Sequence, residues 1–237
     1  MSTSTRFLVL LIVPLLAGLS GLALNPRPQS HIKHGGPFPT VTFTRNLWGA
    51  SPPYYSVSLD STGNAAYHSA PSSSEEAGDP YMVEFVTSSV TRQRVFRIAQ
   101  DLHFFNRFMD DTVRPADAGT RTLTFSDGKL HHQISYHSSA NILVQQLTDI
   151  FENIAMTLEF GHRLSYMRQH GDAGIDNELK RMAEMAQAPG LIELRAVCPV
   201  LQAIASDPST GALARQLAQD IAKTAASNSE SDASSHQ

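Results

Sequence analysis

The stretch GKLHHQISYH, residues 128–137, places three of the chain's ten histidines within seven positions. Imidazole binds metal ions and carries protons near neutral pH, so His131, His132 and His137 ask first for a metal or acid–base reading. Geometry argues against it. The run alternates like a strand, which sends His131 and His132 to opposite faces. His131 and His137 share a face but lie about 20 Å apart at a strand's rise, too far for one coordination sphere. No metal site is expected from them.

Other reactive residue types are weaker still as chemistry. Glu159 and His162 sit three apart on a helical stretch, in the wrong order and spacing for a two-histidine metallopeptidase motif. That spacing fits an ordinary helix-surface pair, as does His162 with Tyr166. Ser138 and Ser139 adjoin His137, but neighbours in sequence are not a positioned nucleophile and base, and the serines suit the cap of a helix starting near Ala140. Cys198, the only cysteine, lies among apolar residues in RAVCPVLQ and reads as a buried small side chain. Glu75–Glu76 and Asp110–Asp111 are loop carboxylates. His31 and His34 belong to a solvated linker. The chain lacks a G-x-S-x-G elbow, a phosphate loop and a dinucleotide fingerprint. No catalytic residue and no cofactor is assigned.

The aromatic cluster NLWGASPPYY, residues 46–55, is the candidate binding loop. Trp48, Tyr54 and Tyr55 flank two prolines, and exposed aromatics on a rigid loop can grip a peptide, a glycan or a protein surface. The alternative is that they fold back over the edge of a sheet.

Elements follow from the hydrophobic period. Residues 40–45, 54–60, 61–68, 81–90, 121–125 and 130–137 alternate with period two and read as strands. Gly63-Asn64 and Asp127-Gly128 mark hairpin turns. Met82, Glu84 and Val86 oppose Val83, Phe85 and Thr87, and apolar residues on both sides place 81–90 centrally in the sheet. From Thr91, read as an N-cap, the period lengthens to that of a helix, 91–105. A long helix, 140–170, carries Leu143, Leu147, Ile150, Ile154, Leu158 and Gly161 on one stripe. Shorter helices follow: 176–187 capped by Asp176, 190–205 kinked at Pro199, and 208–225 capped by Asp207. The expected fold is α+β, an antiparallel sheet of five to six strands covered by two helices, with a C-terminal helical hairpin or bundle. Its divisions are an α+β domain at 40–170, a helical region at 171–225 and a disordered tail at 226–237.

The first 23 residues have a positive start at Arg6, an apolar run, then Gly21 and Ala23 in the places of a signal-cleavage site. A membrane anchor over residues 7–24 is the alternative. Residues 24–39 form a Pro/Gly-rich linker. Either way the chain is expected to be exported to the periplasm or cell envelope. The formal net charge of −4, without any basic block, excludes a nucleic-acid partner. One cysteine permits no intrachain disulfide, so packing alone must hold the fold.

TRQRVFRIAQDLHFFN, GTRTLTFSDGK and above all LVQQLTDIFENIAMTLEFGHRL resemble a group of uncharacterised exported proteins from soil bacteria. More remotely, PPYYSVSLDSTGNAAYHS and the elements after it resemble a small envelope-associated domain of unknown function. Members of that family often carry a cysteine-rich turn before the tyrosine; here the turn reads GASPPYY, without cysteine. These resemblances imply architecture and export and bring no catalytic residue. The expected function is a non-catalytic envelope protein that binds a partner through its loops or helical end. The alternatives are a secreted hydrolase whose site assembles from distant residues such as His137, His162, Asp110 and Asp111, and a membrane-anchored structural component.

Overall fold

Alternation of Val and Phe with Thr gives Thr40–Asn46 (β1) one apolar and one polar face, and the strand is paired on both sides within a sheet. The computed structural model describes residues 38–70, 80–106, 119–187 and 190–234, with side chains followed to Ser227. The other strands are Tyr54–Asp60 (β2), Asn64–Ser69 (β3), Tyr81–Val86 (β4), Thr120–Ser126 (β5) and His131–Tyr136 (β6). They form one antiparallel sheet in the order β4-β3-β2-β1-β5-β6. The fold is α+β, as the sequence pattern predicts.

Turn chemistry fixes the register. Asp60 Oδ1 accepts the backbone N–H groups of Thr62, Gly63 and Asn64 at 2.8–3.0 Å, and Gly63 supplies a φ of 102°. Asp127 Oδ1 accepts from Lys129 and Leu130 at 2.9 and 2.7 Å beside Gly128 at φ 83°. With register set, Val41 and Phe43, Val57 and Leu59, Leu123 and Phe125 all fall on one buried face.

Helices Ser89–Asp101 (α1) and Ile142–His170 (α2) cover that face. Val95, Ile98 and Ala99 of α1 and Leu147, Phe151, Ile154 and Leu158 of α2 join the strand residues in one core. The rings of Phe43 and Phe151 stack at 5.6 Å and 4°. The second half of α2 receives Ile175–Gln187 (α3), Cys198–Ser206 (α4) and Ala212–Ser234 (α5). Glu178 of α3, almost fully buried, is held by Arg163 Nε at 2.6 Å and Arg181 Nη1 at 3.1 Å. Thr157 Oγ1 donates to the Ile192 carbonyl at 2.7 Å. The described residues form one compact unit, so the sheet and the C-terminal helices share a core rather than standing as separate bodies.

Several expectations need correction. β4 is an edge strand, not a central one; Met82 and Val86 are 62% and 70% exposed on the face that carries no described helix. The strand also ends at Val86, and Ser88 rather than Thr91 caps α1, its hydroxyl accepting the Thr91 N–H at 3.2 Å. α1 stops at Asp101, and His103, Phe104 and Phe105 adopt left-handed backbone angles. Burial of Phe105 and contact of Phe104 with Phe125 at 4.5 Å offset that cost. Asn141 caps α2, while Ser139 Oγ accepts the Asn141 N–H. Ahead of α4 lies a 3-10 turn, Leu194–Val197, and Pro199 sits in the first turn of α4, where a proline starts a helix without breaking one. Asp207 closes a turn onto Ser209, and α5 begins only at Ala212. α5 then runs to Ser234, into the stretch expected to be an unstructured tail.

Candidate functional site

The three histidines of the β5–β6 hairpin do not converge. His131 faces away from the helices. His132 Nδ1 lies 3.2 Å from the Phe104 carbonyl, and His137 Nδ1 lies 2.6 Å from the Gly119 carbonyl. A carbonyl only accepts, so both Nδ1 atoms carry the proton. Among the described residues, no three His, Cys, Asp or Glu side chains are grouped to hold a metal ion. His31 and His34 lie outside the described residues.

Beside His137 the start of α2 and the ends of β5 and β6 frame a cleft of about 240 Å³, lined among others by Arg121, Ser139, Gln145, Asp149 and Glu152. Arg121 Nε donates to Glu152 Oε1 at 2.9 Å and its Nη1 to the His137 carbonyl at 2.8 Å. Arg45 Nη1 approaches the same Glu152 oxygen at 3.7 Å. Two arginines thus converge on one carboxylate at the sheet's end. Burial, with the Glu152 charge adding to it, pushes the Tyr55 hydroxyl there up to about 12.

At the opposite edge, Glu159 of α2 reaches β3. Tyr67 Oη donates to Glu159 Oε1 at 2.5 Å and Ser69 Oγ at 3.0 Å, while His162 Nδ1 lies 3.8 Å from Oε2. The His162 ring stacks on Tyr81 at 4.1 Å and 4°. Burial pushes the Glu159 carboxyl up, but the contacts with His162, Tyr67 and Ser69 more than reverse this and hold it below its ordinary value. Burial and the Glu159 charge push the Tyr67 hydroxyl far up, so it stays a proton donor in the bond and a poor acid. This is a clasp between α2 and the sheet edge. The helix spacing shows only Glu159 with His162; Tyr67 and Ser69 join from about ninety residues away.

His137 and His162 therefore do not converge. One lies past the end of β6, the other against β4, and five strand spacings separate these edges by roughly 24 Å. Asp110 and Asp111 lie outside the described residues. Cys198 has its thiol pushed up by burial, with Sγ 3.7 Å from the Leu194 carbonyl, the setting of an inert side chain.

The aromatic loop divides in three. Trp48, in the β1–β2 connection, is 96% exposed although the loop is closed by Leu47 N–H to the Pro53 carbonyl at 2.8 Å. Tyr54 begins β2, half-buried on the sheet face that carries no described helix (the helix-free face among the described residues), edge-on to His68 at 6.3 Å. Tyr55 points the other way and is 7% exposed in the core against Phe43 and Tyr67. It belongs to the fold and not to a binding loop. The period-two pattern that identifies β2 already groups Tyr55 with Val57 and Leu59.

The helix-free face itself was missed in the sequence. Register carries one row across it from His68 through Ser56, Thr44 and Thr122 to Ser135. The next row runs from Ala66 through Ser58, Thr42 and Thr124 to Gln133. The alternating Thr of TVTFTR and RTLTFS is the signal that could have revealed it. Compared with known protein families and with curated proteins, the chain matches none.

Proposed function

We propose that this chain is an exported protein of the cell envelope that binds a partner and performs no reaction, and that it binds through the helix-free sheet face and its Trp48 rim. Export is supported by the order of the first 23 residues and by the resemblance to exported proteins. Among the described residues no helix is long and apolar enough to cross a membrane, and the anchor alternative concerns residues 7–24, outside them. The observation that carries the reading is Trp48. Trp48 is 96% exposed on a closed turn, and that turn leads into Tyr54, whose ring lies on the face that also exposes Met82 and Val86.

The test is co-sedimentation of the full chain with washed bacterial envelopes. Wild type is expected in the pellet, and Trp48→Ala is expected to weaken the association by about tenfold or more, as for an aromatic hot spot. Because Trp48 supports no packing, the variant keeps its melting temperature. Equal sedimentation of the two proteins, or none for either, contradicts the reading.

The hydrolase reading is favoured by one observation, the cleft beside His137. Turnover of an ester or peptide that disappears in His137→Ala would move it to first place.

A further inference from the structure

We infer that the partner of the helix-free face is a neutral glycan chain, an inference that rests on the proposed role of that face. The first support is charge. From β3 to β6 neither central row contains Lys, Arg, Asp or Glu. On this face Glu84 sits on the edge strand, and one Asp60 oxygen is occupied by turn N–H groups. Among the described residues the two central rows offer a polyanion no Lys or Arg, and a polycation finds carboxylates only at the periphery, Glu84 and Asp60, so the face complements an uncharged partner.

The second support is hydrogen-bonding type. Thr and Ser hydroxyls donate and accept, as sugar hydroxyls do. They recur at about 4.8 Å between strands and about 6.7 Å along them, a regular array suited to a repeating polymer. Thr42 and Ser56 in the middle are only 5% and 3% exposed, which leaves contact to the β5–β6 side. There Thr122 and Thr124 are partly exposed and Gln133 and Ser135 exposed.

The third support is the aromatic rim. Trp48 and Tyr54 border the array where β1 turns into β2, and flat rings pack on the C–H faces of sugars while hydroxyls bond the edges. Hydroxyl array, missing charge and an exposed ring together select a polyhydroxylated neutral chain over a peptide, whose apolar side chains would find the central rows polar.

The test is retention of the full chain on insoluble cellulose and on chitin, beside an acidic polygalacturonate gel. Retention is expected on a neutral polymer, persisting at about 1 M salt, where interactions between exposed charges are screened. The paired substitution Thr122→Val and Thr124→Val keeps strand-forming shape but removes two hydroxyls, and is expected to weaken retention about tenfold with the melting temperature held. Failure on both neutral polymers, with envelope binding still sensitive to Trp48→Ala, overturns the glycan and leaves the face. Retention indifferent to both the threonine and Trp48 substitutions overturns the face as well. Binding to the acidic gel alone, lost in salt, overturns the neutral partner.

Discussion

Replacing Glu159 by alanine lowers the unfolding free energy by about 2–4 kcal/mol, read from urea midpoints, because it strands two hydroxyl donors inside the protein. Tyr67 is 1% exposed and Ser69 2%, and each gives its hydrogen to Glu159 Oε1. Water cannot replace the lost acceptor without opening the packing between α2 and β3. Glu159→Gln keeps an acceptor and removes the charge, so it costs less and isolates the electrostatic part. The direction of the pH dependence follows from the lowered folded-state carboxyl value. Above the ordinary value of 4.5 the stabilisation from the ionised carboxylate is fully present, and it is lost as pH falls through the lower folded value. Wild type therefore exceeds Glu159→Gln in stability at pH 7, and the gap narrows below about pH 4.5. A gap that stays constant down to pH 3 contradicts the clasp.

Gly161→Ala is expected to destabilise the protein by about 1–2 kcal/mol, although alanine is the better helix former by nearly 1 kcal/mol. A Cβ at position 161 would stand 2.6 Å from Val197 Cγ1 and 3.3 Å from Val197 Cβ. Val197 is buried in the 3-10 turn before α4 and is β-branched, so it has little rotamer freedom with which to retreat. The glycine is there for close approach of α2 to the C-terminal helices. Val197→Ala alone leaves a small cavity, but combined with Gly161→Ala it should recover stability. A double-mutant cycle measures this directly. Additive losses in the double variant would mean the two residues do not share the contact.

Local pattern carried the architecture in this chain. Alternating Thr with Val or Phe, the Asp127-Gly128 turn and the four-three recurrence from Leu147 to Leu158 each depend on neighbours within a few residues. Failures came where distant packing decides. β4 looks central because Met82 and Val86 are apolar, yet nothing in a strand's own sequence tells whether a neighbour exists beyond it. Pro199 suggests a kink because the stretch before it is apolar; the 3-10 turn that precedes it makes it a helix start. The left-handed run at His103–Phe105 has no glycine to announce it. The Glu159 clasp joins residues about ninety positions apart, beyond any periodic signal. Trp48 was legible as a binding candidate from its loop, whereas the face it borders appears only when β5 is placed beside β1.

The surface assignment is tested most directly by the fluorescence of Trp48, the chain's single tryptophan. In the free protein its emission should be that of a fully hydrated indole, open to aqueous quenchers. On saturating with washed envelopes, the account predicts a blue shift and strong shielding from acrylamide. Emission that stays red and fully quenchable while the chain is demonstrably bound would place the binding surface elsewhere.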